Sequence, residues 1–285
     1  MILPLNPTDT LALAQAVQRN RALYDRMRKG HLSGAPDYLV LTAANARQAA
    51  AYRAELAART RRGFFPKDLR TLVVPDPNGR RVGTGGATLN ALRAVAADAC
   101  GVLAGRRILV IHAGGREPRG TGNAAAGKIF LKLPVTTVDG CDAALFDELF
   151  VTLACALRRL GPGLLAASGD VLLLCDASAV RCASGAVNGF AAPAPAEQAT
   201  RHGAYVCDAK GAVRRFLHKA DERALRAGGA VDALERAWVD TGLVSFAGAG
   251  LSALTALAGV TTGPGGFSIR PPLFPPRLGG RFDLY

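Results

Sequence analysis

The strongest constraint on what this chain can fold into is the alternation of short apolar runs with segments of helical spacing, joined by turns several of which bear glycine. Residues 38–42, 71–75 and 107–112 are runs of this kind. They are too short for helices, and 107–112 has no polar alternation, as expected of a strand buried on both faces. The stretches 171–175 and 239–246 read as further strands, and 204–208 with 212–217 as a hairpin turning at Lys210-Gly211. Helical spacing covers 9–29, 46–59, 87–97, 142–160, 221–237 and 249–259. In the first of these Leu11, Leu13, Ala16, Val17, Leu23 and Met27 form the expected buried side. Residues 184–198, rich in Ala, Gly and Pro, read as loop, and 271–276 as extended chain. Strands alternating with helices predict an α/β domain of three αβα layers around a mainly parallel mixed sheet. In such sheets ligands bind beyond the carboxyl ends of the strands. The glycine-bearing turns at 83–86, 113–127 and 169–170 are therefore the places to look for a site.

Composition narrows the class. A chain of 285 residues with 49% hydrophobic residues can bury a large core and is not a disordered polymer. The formal charge of +13 fits a nucleic-acid binder or an enzyme of phosphorylated substrates. The basic residues are scattered, however. The dense clusters, Arg59-Thr60-Arg61-Arg62 and residues 19–29, do not interleave bases with aromatics in the manner of a single-strand binding platform, so no nucleic-acid partner is expected. The six cysteines show no zinc or redox spacing and read as buried thiols of a cytoplasmic protein. The first residues lack a signal-peptide pattern, and no apolar run reaches the length of a membrane span.

Three loops carry chemistry. Residues 114–128 begin Gly114-Gly115 and contain Arg119 and Lys128. Glycines let backbone amides approach an anion, Arg grips phosphate bidentately and Lys adds a point charge. Residues 122–128 satisfy the first part of the P-loop pattern, but Ile129 stands where the magnesium-binding hydroxyl belongs, so a P-loop enzyme is excluded. Asp170 in Ser168-Gly169-Asp170 is placed to hold Mg²⁺ against substrate phosphates, with Asp176 as the weaker alternative. Gly83-Thr84-Gly85-Gly86 opens a helix whose free amides suit a phosphate or the polar edge of a base.

In order along the chain, these segments resemble the sugar-nucleotide pyrophosphorylases. The resemblance rests on Gly114, Gly115, Arg119, Lys128 and Pro134, and on Asp170 before an apolar run. It is closer still to the pyrophosphorylase part of the bifunctional fucokinase/GDP-fucose pyrophosphorylases. That likeness runs through 37–45, 81–92, 111–115, 127–130, 167–173, 199–206 and 282–285. It implies a nucleotide-diphospho-sugar transferase fold, Rossmann-like, over 36–285, with 1–35 as a helical extension. It also implies a reaction of a nucleoside triphosphate, GTP, with a sugar-1-phosphate, fucose-1-phosphate, giving GDP-fucose and pyrophosphate with Mg²⁺. The resemblance assigns Arg119 and Lys128 to the triphosphate, Asp170 with Asp240 to the metal, and Lys219 to the sugar phosphate. Arg201 and His202 would line the sugar pocket. In pyrophosphorylases of the common type the Gly-Gly-Arg loop precedes the Gly-Thr-Gly helix start; here the order is reversed. Which of the two loops holds the base and which the triphosphate stays open. No sugar-kinase ATP loop is found, so no kinase activity is expected. A pyrophosphorylase for another sugar, of mannose or heptose type, and a non-catalytic nucleotide-sugar-binding protein are the alternatives.

Overall fold

The computed structural model describes residues 7–114, 127–182, 187–263 and 266–270. Its centre is four parallel strands: β1 (Tyr38–Ala43), β2 (Arg70–Pro75), β3 (Arg107–His112) and, further along the chain, β6 (Gly163–Ser168). In space they lie in the order β2-β1-β3-β6. Helices α1 (Pro7–Arg28), α2 (Ala46–Arg61), α3 (Gly83–Asp98), α4 (Leu145–Leu160) and α7 (Gly248–Leu257) cover the two faces. Leu39, Leu41, Leu109 and Ile111 point to one side, where Tyr24 of α1, Tyr52 of α2 and Phe146 and Phe150 of α4 pack on them. Val40, Ile108 and Val110 point to the other, against Leu89, Leu92 and Val95 of α3 and Leu254 of α7. The period-two alternation thus buries both faces, giving the three-layer α/β architecture expected.

The second part of the sheet is antiparallel. It comprises β7 (Val187–Pro195), β8 (Gly203–Cys207), β9 (Val213–His218) and the long β10 (Arg236–Phe246). Its register decides where the site lies. On one flank of β10, Leu243–Phe246 pair with β6, while Trp238 and Val239 pair with Tyr205 and Ala204 of β8. Hence β8 begins just beyond the point where β6 ends, and the β8–β9 hairpin stands over the carboxyl edge of the parallel strands. A short helix, α5 (Ala196–Ala199), leads into β8, and α6 (Glu222–Ala227) follows β9. Two hairpins complete the described residues, β4 (Lys132–Thr136) with β5 (Asp142–Ala144), and β11 (Val260–Gly263) with β12 (Gly266–Ile269).

Several expectations are corrected. Residues 171–175 are not a strand. The sheet strand is Gly163–Ser168, and the run after it lies on the surface with Val171 and Leu173 packed inward and Leu172 and Leu174 exposed. Residues 187–195 are not loop but β7, an edge strand, where Pro193 and Pro195 are tolerated because the outer flank needs no amide. The helical pattern at 221–237 yields only the six residues of α6, since Gly228-Gly229 end it and β10 starts at Arg236. Leu11 is exposed; the buried stripe of α1 is Ala16, Asn20, Tyr24 and Met27. Of the cysteines only Cys155 is buried, where burial pushes its thiol up to about 12; Cys100, Cys175, Cys182 and Cys207 are exposed. Among the described residues no helix is long and apolar enough to cross a membrane.

Candidate active site

The carboxyl ends of β1, β3 and β6 lie side by side, with Thr42 paired to His112 and His112 to Ser168. The turns that follow are packed tightly enough to demand glycine. The Gly169 amide donates to the His112 carbonyl at 2.9 Å, and a Cβ on Gly169 would lie 2.8 Å from that oxygen. Gly127 has φ +68°, and a Cβ there would meet the Tyr52 hydroxyl at 2.7 Å. That hydroxyl donates to the Ala113 carbonyl at 2.8 Å, so α2 ties together both ends of the long glycine-rich loop.

Above these turns is a cleft of two adjoining cavities, about 350 and 310 Å³, which share Arg81, Thr84, His112 and Gly114 in their walls. The first is completed by Gln48, Gly127, Lys128, Ser168 and Asp170. The second is completed by Thr42, Asp76, Gly83, His218 and Lys219. A larger cavity, about 760 Å³, lies at the opposite edge of the sheet around Gly101, Pro162 and Leu251. Its lining holds no titratable side chain, so it has no charge to offer a phosphate or a metal.

Sequence reasoning named Lys128, Asp170, Gly83, Thr84, Gly114 and Lys219, and all of them line this one cleft. Gly85 and Gly86 are buried in the first turn of α3, which begins at Gly83 rather than Ala87. Both glycine loops therefore open on the same cavities although far apart in sequence. Arg119 and Gly115 lie outside the described residues. Arg201 and His202 are exposed in the turn before β8 and line neither cavity. Asp176 is remote, paired with Arg19 at 2.8 Å on the surface of α1.

Lys219 ends β9 with φ 48°, a left-handed conformation uncommon outside glycine. Its amide donates to the His202 carbonyl at 2.8 Å, which fixes the end of the hairpin over the second cavity. Asp240 sits beside the break in register of β10. Its Oδ1 accepts from the Tyr205 hydroxyl and from the Gly242 amide, each at 3.0 Å. A Cβ on Gly242 would stand 3.0 Å from Cβ of Ser168, and the Ser168 hydroxyl donates to Asp170 Oδ1 at 2.6 Å. Asp170 and Asp240 thus flank one cross-strand pair. Burial raises the Asp240 pKa, and these hydrogen bonds and the neighbouring His202 and His218 only partly counter it.

Among the described residues no group of three or more His, Cys, Asp or Glu side chains could cage a metal. Two carboxylates whose Oδ2 atoms carry no hydrogen bond suit Mg²⁺ instead, since that ion takes one or two carboxylates and completes its shell with water and substrate phosphates.

Residues that sequence reasoning passed over also line the cleft. Gln48 is fixed by its Oε1, which accepts from the Ala44 amide at 2.7 Å, leaving its amide hydrogens as donors. His112 Nε2 lies 3.0 Å from Thr88 Oγ1, and that hydroxyl gives its own hydrogen to the Thr84 carbonyl. The threonine oxygen must then accept, so Nε2 carries the imidazole hydrogen. Burial pushes the His112 pKa down to about 4 and keeps the ring neutral. Thr42, Asp76 and Arg81 are the others. Each stands at a strand end or before the helix start, which the rule for ligand placement in open sheets could have flagged.

A family profile described as the fucose pyrophosphorylase domain matches residues 101–269. A bifunctional fucokinase/GDP-fucose pyrophosphorylase of Arabidopsis thaliana is 31% identical over 78% of this chain. Fucose-1-phosphate guanylyltransferases of Mus musculus and Homo sapiens are 26% and 27% identical over 64% and 73% of it. The matches take up 24%, 33% and 36% of the lengths of these relatives.

Proposed function

This chain belongs to the fucose pyrophosphorylase domain family, and on that premise we propose that it is a sugar-1-phosphate nucleotidyltransferase that makes GDP-fucose and pyrophosphate from GTP and fucose-1-phosphate. The observation that supports this best is the meeting of Lys128, Asp170 and Lys219, from three separate parts of the chain, on one cleft at the carboxyl edge of the sheet.

In the proposed reaction an oxygen of the sugar phosphate attacks the α-phosphorus, the bond from that phosphorus to the bridging oxygen breaks, and pyrophosphate leaves with the electron pair. Such transfer needs alignment and charge neutralisation more than covalent help from the protein. Lys128, joined by Arg119 of the same loop, neutralises the triphosphate. Lys219, held by the strained end of β9, receives the sugar phosphate from the opposite wall. Asp170 and Asp240 hold Mg²⁺, which when bound offsets phosphate charge. Gly83 and Thr84 at the start of α3 line the same cleft and hold the nucleotide. The six free cysteines fit a reducing compartment, and the proposal places the enzyme in the cytoplasm.

Pyrophosphate release is the test, with GTP, ATP and UTP each offered with fucose-1-phosphate, mannose-1-phosphate and glucose-1-phosphate. Preference for GTP with fucose-1-phosphate is expected. Preference for another sugar would transfer the function to a different pyrophosphorylase, and no product from any pair would leave a binding protein.

A further inference from the structure

The second cavity contains a carboxylate to which the proposed reaction gives no task. Asp76 follows directly on β2; its amide donates to the Ala43 carbonyl at 2.7 Å, which sets its side chain at the wall of the cavity. The side chain caps no helix and accepts no hydrogen bond from the described residues. Burial raises its pKa, and the charge of Arg81 opposes the shift only in part. A half-buried carboxylate of this kind is a pair of acceptors waiting for donors.

The two cavities divide the nucleotide between them. Lys128 and Asp170 stand in the first, which fits the triphosphate and its metal. A carboxylate would repel phosphate from its part of the second, so that part suits an uncharged group rich in donors. The bases differ in what they present. Guanine alone offers two adjacent donors, N1–H and the 2-amino group, on one edge. Adenine presents an acceptor at N1, and uracil flanks its one N–H with carbonyls that a carboxylate repels.

We propose that Asp76 selects guanine, its two carboxylate oxygens accepting hydrogen bonds from N1–H and the 2-amino group of the base. The assignment rests on the guanylyltransferase reading and adds to it the residue that tells GTP from other triphosphates. It also gives the base to the cavity beside Gly83, and the triphosphate to the cavity beside Gly114 and Lys128.

The test uses the full chain with Asp76→Asn and Asp76→Ser, followed by pyrophosphate release. GTP, ITP, XTP and ATP are each offered with fucose-1-phosphate. ITP lacks the 2-amino group, and XTP has a carbonyl in its place. The Asn side chain keeps an acceptor for N1–H and offers its NH₂ to that carbonyl. Wild type is expected to favour GTP over ITP by about 10–100-fold in kcat/KM, the range for one hydrogen bond to a charged acceptor. Asp76→Asn should lose about 100-fold with GTP and turn over XTP faster than GTP. Asp76→Ser should lose GTP preference without gaining XTP, and KM for fucose-1-phosphate should stay within about twofold in both, well under the effect of one such bond.

Melting curves of both variants should match wild type, because the side chain accepts no hydrogen bond from the described residues. An unchanged GTP-to-ITP ratio in the variants would overturn the inference and leave the guanylyltransferase reading standing. So would a raised KM for fucose-1-phosphate with the nucleotide profile intact, since it would assign the carboxylate to a sugar hydroxyl. A wild-type enzyme that prefers ATP or UTP would overturn both.

Discussion

Arg59 and Asp147 form the most deeply buried ion pair described, and removing one partner should destabilise the protein severely. Arg59 Nε and Nη2 donate to the two oxygens of Asp147 at 2.6 and 2.9 Å, and the side chains are 4% and 1% exposed. Although burial opposes its charge, the Asp147 and Glu55 carboxylates more than offset this and raise the Arg59 pKa. Breaking a buried pair of this quality costs about 3–5 kcal/mol, because the surviving charge is stranded. In Arg59→Met, Asp147 keeps the Ala144 amide at 2.7 Å and the Arg62 guanidinium at 3.4 Å. The expected loss is therefore near the lower end, about 3 kcal/mol. Asp147→Asn should lose a similar amount, since Arg59 retains only the half-exposed Glu55. The double variant Arg59→Met with Asp147→Asn removes both charges and should fall at least ~2 kcal/mol short of the sum of the singles.

The same guanidinium lies over the rings of Phe130 and Phe146, at 4.8 and 5.1 Å from their centroids. Phe130 ends the single turn that begins at Lys128, so Arg59→Met should also slow turnover. Urea denaturation followed by circular dichroism measures the stabilities. A loss below about 1 kcal/mol for Arg59→Met, the level of an exposed pair, or strict additivity in the double variant would refute the argument.

Asp170→Asn should abolish most turnover in a protein whose melting temperature is unchanged, because the side chain is exposed and bonds only to Ser168; near-normal rates would remove it from the site. Lys128→Ala and Arg119→Ala should each lower turnover by about 10²–10³-fold, while Arg116→Ala should do less; the reverse order would show the loop register to be wrong. His112 gives a pH dependence. Its folded pKa, about 4, lies below the unfolded 6.5, so the unfolded state takes up the proton first. The stability it contributes is full above pH ~6.5 and lost as pH falls towards ~4. The shift implies about 3 kcal/mol, but the ring borders the open cleft and screening there reduces this to roughly 2 kcal/mol. Urea titrations from pH 7 to 4 should show a slope that His112→Asn flattens; parallel profiles would contradict it.

Three of the four parallel strands were legible because strands buried on both faces leave unbroken apolar runs, as at residues 38–43 and 107–112, whereas in place of the strand read at 171–175 the fourth is β6 at Gly163–Ser168. The glycine turns were legible because close approach permits nothing larger. The antiparallel half was legible in part, since the hairpin read at 204–208 and 212–217 and the strand read at 239–246 are β8, β9 and β10, whereas β7 was not. Strand β7 contains two prolines and alternates weakly, and only its pairing with β10 makes it a strand. The run at 171–175 looks like a strand in isolation, yet its polar surroundings, the Asn20 side chain bonded to the Cys175 carbonyl among them, hold it on the surface beside α4. At the site, Lys128 and Asp170 stand out by sequence context. Asp76, Gln48 and Thr42 do not, because an ordinary polar residue at a strand end acquires meaning only when the topology sets that end beside another.

Strand β10 joins the two parts of the sheet, pairing with β6 through Leu243–Phe246 and with β8 through Trp238 and Val239, and its register against β7 breaks between Asp240 and Leu243. The β8–β9 hairpin is consequently a lever hung from one strand and pivoted at that break. Sliding it along β10 would break its pairing with Trp238 and Val239, whereas tilting about the pivot disturbs few bonds. A tilt would swing the turn at residues 208–212, at the tip of the arm, through a wide arc while Lys219, bonded to His202 at the open end of the hairpin, and Asp240, on the axis, moved little. The hairpin can thus tilt without dismantling the turns after β1, β3 and β6 that lie beneath it.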